Sequence, residues 1–169
     1  GYKSAGFNDY ATSIKDSEPY KAAKVNSAEL GFKHESAGGD LSLEGALFIT
    51  RVQDDHLLGY DFNTLAVSAV NADTRSKGAE LSTTWHVTDE LTLGSAVSYT
   101  NAVVTSDAPG VSGGDVAAGS RVPDVPLWSG NFSVAWQKNL GALLGLPAPR
   151  LNTLLNYRVQ KNRPADPQN

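Results

Sequence analysis

The chain has 169 residues, a formal net charge of −4, 40% hydrophobic residues, and neither cysteine nor methionine. Disulfides and thiolate metal sites are therefore excluded, and no basic stripe suits the chain to nucleic acid. No run approaches the roughly 18 apolar residues of a transmembrane helix, although a spanning β-strand, apolar only at alternate positions, escapes that test.

Seven segments read as strands. The first is residues 1–7, Gly1-Tyr2-Lys3-Ser4-Ala5-Gly6-Phe7. The second, 28–35, sets Ala28, Leu30, Phe32 and His34 against Glu29, Gly31, Lys33 and Glu35. The third, about 41–53, places Leu41, Leu43, Leu47 and Ile49 on one face, but Ala46, Phe48 and Val52 are apolar on the other, so its register stays open. The fourth runs from about 67 to 87 and alternates Ala79, Leu81, Thr83, Trp85 and Val87 with Glu80, Ser82, Thr84 and His86. The fifth, about 91–102, carries Leu91, Leu93, Val97 and Tyr99 on one face. The sixth, 127–137, sets Trp128, Phe132, Val134 and Trp136 against Ser129, Asn131, Ser133 and Gln137. The seventh, about 151–160, shows Leu151, Leu155, Tyr157 and Val159 on one face. Period-two alternation of this kind marks strands with one apolar face.

The prolines agree with the partition. Proline removes a ladder donor and is kept out of central strands. Pro19, Pro109, Pro123, Pro126, Pro147, Pro149, Pro164 and Pro167 all fall in the connections. Gly31, Gly78 and Gly94 fall on the polar face, where bulk would crowd an interior.

The connections alternate in length. Residues 8–27 are long, 36–40 short, 54–66 long, 88–90 very short and 103–126 long; 138–150 breaks the rule, and its Leu140-Gly141-Ala142-Leu143-Leu144-Gly145-Leu146 stretch suits a small turn of helix. Strands of about 9–11 residues match a tilted membrane-spanning strand. Outer-membrane barrels put short turns on the periplasmic side and long loops outside. On that reading the fourth strand is longer than a bilayer requires, and its first half projects beyond the membrane. The competing reading is a soluble sandwich, which explains the alternation but neither the strand length nor the loop asymmetry.

Two further expectations follow. With 88–90 as a three-residue turn, Val87 faces Leu91, and the next pairs are Trp85–Leu93, Leu81–Val97 and Ala79–Tyr99. In a barrel segment Leu81, Val97, Phe132, Val134 and Leu155 are exposed, because lipid is their partner, and the polar face lies open. A sandwich demands the reverse.

Candidate sites are few. Gly110-Val111-Ser112-Gly113-Gly114 fits G-x-S-x-G, but a nucleophile elbow needs a helix after it and a later histidine. No histidine follows His86, and a flexible loop is the plainer reading. Asp54-Asp55-His56 invites a metal, yet adjacent side chains diverge and no other ligand cluster is close in sequence; a solvated loop tip is preferred. Trp85, Trp128 and Trp136 are either sandwich core or aromatic-girdle residues, since indole prefers the headgroup level. Trp128 and Trp136, eight positions apart on one face, would stand roughly 20 Å apart along the normal, close to an apolar band of about 25 Å. Glu29, Lys33, Glu44 and Glu80 share the polar face and are candidates to face a lumen; a merely solvated face predicts the same side.

Several segments carry a family resemblance. Gly1-Tyr2-Lys3-Ser4-Ala5-Gly6-Phe7-Asn8 resembles the G-[YF]-K-x-G-G-F-N strand of TonB-dependent outer-membrane receptors. Ala28-Glu29-Leu30-Gly31-Phe32-Lys33 is similar to the following E-x-G-x-K strand, and 41–53 with Asp54-Asp55 to the next. Ser76-Lys77-Gly78-Ala79-Glu80-Leu81 resembles the S-x-G-x-E-x-E strand, with Ser82 where the second glutamate would stand. Val122-Pro123-Asp124-Val125-Pro126-Leu127-Trp128-Ser129 is similar to P-x-x-P-x-[WH]-S.

The expected fold is all-β, an antiparallel up-and-down meander of about seven long strands forming an open segment of a transmembrane β-barrel. Residues 1–169 are expected to be one partial barrel domain of a larger receptor, without the plug domain, TonB box and closing strands. The resemblance implies energy-coupled import of a scarce solute such as an iron–siderophore complex, in the outer membrane of a Gram-negative bacterium. The implied partners are outer-membrane lipid, the receptor's own plug, TonB and the solute. No catalytic role, metal or cofactor is expected. The alternative is a soluble all-β binding or adhesion domain.

Overall fold

The computed structural model describes residues 1–7, 19–61, 66–111, 114–141 and 149–161. The elements in chain order are β1 (Tyr2–Lys3), β2 (Gly6–Phe7), β3 (Pro19–Tyr20), β4 (Ala23–Glu35), β5 (Leu41–Asp61), β6 (Ala66–His86), β7 (Leu91–Val104), β8 (Ala108–Val111), β9 (Gly114–Val116), β10 (Trp128–Asn139) and β11 (Arg150–Lys161). Seven of them form one sheet in the order β1-β4-β5-β6-β7-β10-β11, every pair antiparallel. The outer strands β1 and β11 do not pair with each other, so the sheet is open. Among the described residues there is no helix.

The short turns set the register. Val87 N–H donates to the Leu91 carbonyl at 2.9 Å, and the Thr88 hydroxyl oxygen accepts from Glu90 N and Leu91 N at 3.2 and 3.0 Å. A threonine that answers turn donors with its own side chain fixes where the chain reverses. Trp85 then lies opposite Leu93, Leu81 opposite Val97 and Ala79 opposite Tyr99, as the three-residue turn predicts. At the β4–β5 turn Gly39 adopts φ +75, a left-handed conformation that glycine accepts without strain.

The open register of β5 resolves as well. Leu47 pairs with Leu30 and with Ala79, so Leu41, Leu43, Leu47 and Ile49 share the apolar face. Phe48 does point to the polar side, because Gly78 opposite it leaves room for the ring.

Three of the expected boundaries differ. The first strand is split: only β1 joins the sheet, while β2 leaves it to pair with β3. Residues 54–61 are strand rather than loop, because β5 continues past a bulge between Val52 and Asp55, with Asp54 at φ +53. A short polar side chain tolerates that conformation, and the bulge bends the strand while pairing resumes beyond it. The 103–126 connection contains the β8–β9 hairpin, and its return limb runs beside β7 through Val104 N–H to Ser120 O and Val122 N–H to Ala102 O. Pro19 and Pro109 lie in the two short ladders; the seven-stranded sheet itself holds no proline. The helical turn expected in 140–146 lies mostly outside the described residues.

Burial divides the sheet into two zones. Leu81, Phe132, Val134 and Leu155 are 38–65% exposed, and Val97 is half-buried between Leu81 and Gly130. Among the described residues no second layer covers this face. Soluble proteins rarely leave so large an apolar surface bare. Among the described residues the buried cluster, Leu57, Ala72, Val104, Ala108 and Val116, lies at the end remote from the short turns. Ala72, Thr74, Ala102 and Val104 belong to the polar side of β6 and β7, so the β8–β9 connection folds over that side there. The polar face is therefore partly roofed at one end, where an open face was expected.

Candidate functional site

The polar face forms a hollow of about 750 Å³, and Glu29, Lys33, Glu44 and Glu80 all line it. Pairing brings them together: Lys33 stands opposite Glu44, and Glu80 lies between Ala46 and Ser98. Lys33 Nζ reaches Glu44 Oε1 at 2.6 Å, with both side chains more than half exposed. Such an exposed, solvent-screened pair contributes little to stability, so its consequence is the charge pattern it presents. Gly31, Ala46 and Ala96 supply little bulk, which keeps the hollow open between the longer groups. Ser98 and Ser129 exchange a hydroxyl hydrogen bond of 2.7 Å on its floor.

Arg158 also lines the hollow, from β11, opposite Asn131. Sequence reading passed over it, although its place between Tyr157 and Val159 in an alternating strand was the available signal. Three carboxylates, a lysine, an arginine and several hydroxyls can hold a polar solute or a polar protein surface. Among the described residues no three His, Asp or Glu side chains converge as a metal site.

The tryptophans lie on the opposite face. Trp128 pairs with Tyr99 in register, and their rings meet at 4.9 Å between centroids. Trp136 pairs with Leu91 and carries Lys138 Nζ 5.7 Å from its ring centre. Trp85 lies opposite Leu93 and Leu41. Trp85 and Trp136 thus mark the short-turn end of the apolar face, and Tyr99 with Trp128 the other.

Asp54-Asp55-His56 lies within a strand rather than at a solvated loop tip. It sits at the β5 bulge and holds the N-terminal segment. Lys3 Nζ meets Asp55 Oδ1 at 2.6 Å, and Lys21 Nζ meets Asp54 Oδ1 at 3.6 Å. His56 Nε2 bonds the Lys21 carbonyl at 2.8 Å, and its ring packs edge-on against Tyr20. Asn71 accepts from Lys21 N–H and donates to the Asp54 carbonyl, each at 2.7 Å. Burial alone would push the Asp55 carboxyl up. Hydrogen bonds from Lys3, Thr74 and the His56 backbone outweigh that and hold it below its ordinary value. Long-range polar contacts of this kind leave no periodic trace in a sequence. As for G-x-S-x-G, Gly110 and Val111 end β8 and Gly114 opens β9, so the motif spans a hairpin; Ser112 and Gly113 lie outside the described residues.

Long antiparallel strands, one bare apolar face, one hollowed polar face and two open edges define a segment of a β-barrel wall. A family model described as "TonB dependent receptor-like, beta-barrel" matches residues 1–169, and the chain belongs to that family. Among solved structures, the chain is similar to the ferric yersiniabactin uptake receptor FyuA from Yersinia pestis. The two are 27% identical with a TM-score of 0.64, and the match covers 82% of this chain and 20% of that one. It is also similar in fold to the copper transporter OprC, at 20% identity and TM-score 0.55, covering 69% of this chain and 16% of that one. The chain thus spans about a fifth of the length of the Yersinia receptor. No curated protein matches it.

Proposed function

We propose that this chain is part of the barrel wall of a TonB-dependent receptor in the outer membrane of a Gram-negative bacterium. The whole receptor imports a scarce solute, such as an iron–siderophore complex, with energy coupled through TonB. The observation that carries the reading is the division of one open sheet into a bare apolar face and a charged hollow. The apolar face meets outer-membrane lipid, with Trp85, Trp128 and Trp136 at the two aromatic girdles. Glu29, Lys33, Glu44 and Glu80 line the lumen, where they meet the receptor's plug domain and the passing solute. The plug and TonB belong to the assembly outside residues 1–169, and the role is binding and transport rather than bond-making chemistry. A soluble binding or adhesion domain would need a second layer over the apolar face, and the exposure of Leu81, Phe132 and Leu155 weighs against it.

The test is uptake by cells carrying the full-length protein. Radiolabelled ferric siderophores should accumulate under iron limitation, and accumulation should stop when TonB is deleted. Uptake of no siderophore would remove that solute class. Uptake indifferent to TonB would remove the energy coupling.

A further inference from the structure

On the apolar face, just beyond the Tyr99–Trp128 pair, the outward positions change from apolar to basic. Ala79 pairs with Tyr99, and Tyr99 pairs with Trp128, so these three share a row. Two residues further along β6 the outward side chain is Lys77, opposite Ile49. Two further it is Arg75, directly opposite Arg51. The next outward residue on β4 beyond Asn26, the partner of Arg51, is Lys24. These four cations therefore form one patch on three adjacent strands.

The patch is anomalous in two ways. Like charges directly opposite each other on a sheet face are destabilising, yet Arg51 and Arg75 are register partners. And among the described residues no carboxylate offsets them. The outward positions of β4 from Lys24 to His34, of β5 from Leu41 to Gln53 and of β6 from Arg75 to Trp85 contain none. Asp73, one step further on β6, accepts the Asp54 N–H at 2.9 Å. Asp54 and Asp55 are taken by Lys21 and Lys3. Lys3, Lys21 and Lys33 all find carboxylates, whereas no side-chain hydrogen bond or ion pair ties Lys24, Arg51, Arg75 or Lys77 to another described residue. Arg75 is half-buried, and its Nε has no hydrogen-bond partner.

We infer that Arg51 and Arg75, flanked by Lys24 and Lys77, bind the phosphate groups of a phosphorylated glycolipid in the outer leaflet. The inference rests on the membrane reading above. At about 3.3 Å per residue, Lys77 and Arg75 lie roughly 7 and 13 Å along the strand beyond the aromatic row. With the strand tilted, that is the headgroup layer, which adds about 5–8 Å to each side of the hydrocarbon core. Two adjacent guanidinium forks suit phosphate oxygens, which accept paired N–H bonds. A lipid phosphate between them converts their mutual repulsion into attraction. A soluble anion would meet the same chemistry, but the patch continues the lipid-facing surface rather than the hollow.

The experiment uses the full-length protein in detergent. Native mass spectrometry reads binding of diphosphorylated lipid A and of the same lipid after phosphatase treatment. The wild type should retain the phosphorylated form at least tenfold more strongly, and millimolar inorganic phosphate should not displace it. Arg51→Gln with Arg75→Gln should abolish that preference. Lys24→Gln with Lys77→Gln, at exposed positions, should weaken it several-fold, and Lys138→Gln at the opposite end should not change it. The arginine double variant should also melt higher than wild type without lipid and lower with it. Equal binding of both lipid forms by the wild type overturns the inference whether or not any variant folds. Displacement by inorganic phosphate reduces the patch to a free-anion site and overturns it too. Heat-modifiable migration on gels separates the two levels: a protein that never inserts refutes the membrane reading, and one that inserts without phosphate preference refutes only this site.

Discussion

Replacing Leu81 by arginine separates a lipid-facing sheet from a solvent-facing one. Leu81 is 48% exposed and stands in a row with Gly45 and Val97. It lies four residues from Trp85 at one girdle and four from Lys77, the first basic position beyond the Tyr99–Trp128 row at the other end. At about 3.3 Å per residue and about 40° of tilt, each interval is roughly 10 Å along the normal, which puts Leu81 near the middle of an apolar band of about 25 Å. Arginine at the midplane of a barrel's lipid face costs about 2–4 kcal/mol. That corresponds to roughly 30-fold to nearly 1,000-fold in the folding equilibrium. On a water-exposed surface the same change would stay within about 0.5 kcal/mol. Glu80→Arg is the matched control, since Glu80 lies one residue away in the polar hollow. The assay is urea-titrated folding of the full-length protein into phospholipid vesicles, followed by tryptophan fluorescence. A loss below about 0.5 kcal/mol for Leu81→Arg, or equal losses for the two variants, would refute the assignment of faces.

Other outcomes can be checked on the same protein. Asp55 lies beyond the bulge and outside the spanning part of β5, and its carboxyl is held below its ordinary value. Its contribution is therefore complete above the unfolded carboxylate value of about 3.9 and is lost as pH falls through the lower folded value. Hydrogen-exchange protection at the β5–β6 end, taken relative to intrinsic exchange at each pH, should fall below about pH 4 in the wild type, and Asp55→Asn should show low and nearly pH-independent protection. Gly78→Val should cost at least about 1–3 kcal/mol by overpacking, because a Cβ would run into the Tyr99 carbonyl and come 2.6 Å from Phe48 Cζ. Gly31→Ala, whose nearest neighbour is the Gly45 carbonyl at 3.3 Å, should cost less in the same urea titration. Because the chain has no native cysteine, Ser82→Cys with Ala96→Cys reports the register. That pair should oxidise readily to a disulfide, and Ser82→Cys with Val97→Cys should not; the reverse order would mean a one-residue slip.

Alternation alone determined much of this protein. A side-chain period of two assigns every residue of a strand to one of two faces, so Leu81 and Glu80 were separable without coordinates. The turn at 88–90 was short enough to fix one register, and with it the pairing of Trp85 with Leu93. The four lumen candidates shared a face for the same reason. What the sequence left undecided was wherever two or more distant segments act jointly. The apolar Phe48 on the polar side makes sense only beside Gly78, on another strand. The bulge that carries β5 through Asp54 is answered by Asn71 and Asp73, and the charges of Asp54 and Asp55 are answered by Lys21 and Lys3. The inward fold of 103–126 depends on burying Val104 against Ala108 and Val116. Arg51 and Arg75 are 24 positions apart in sequence, and only the ladder makes them neighbours. Periodicity is a local property of the chain, whereas pairing, roofing and charge clustering are set by which strands adjoin, and that is a property of the sheet.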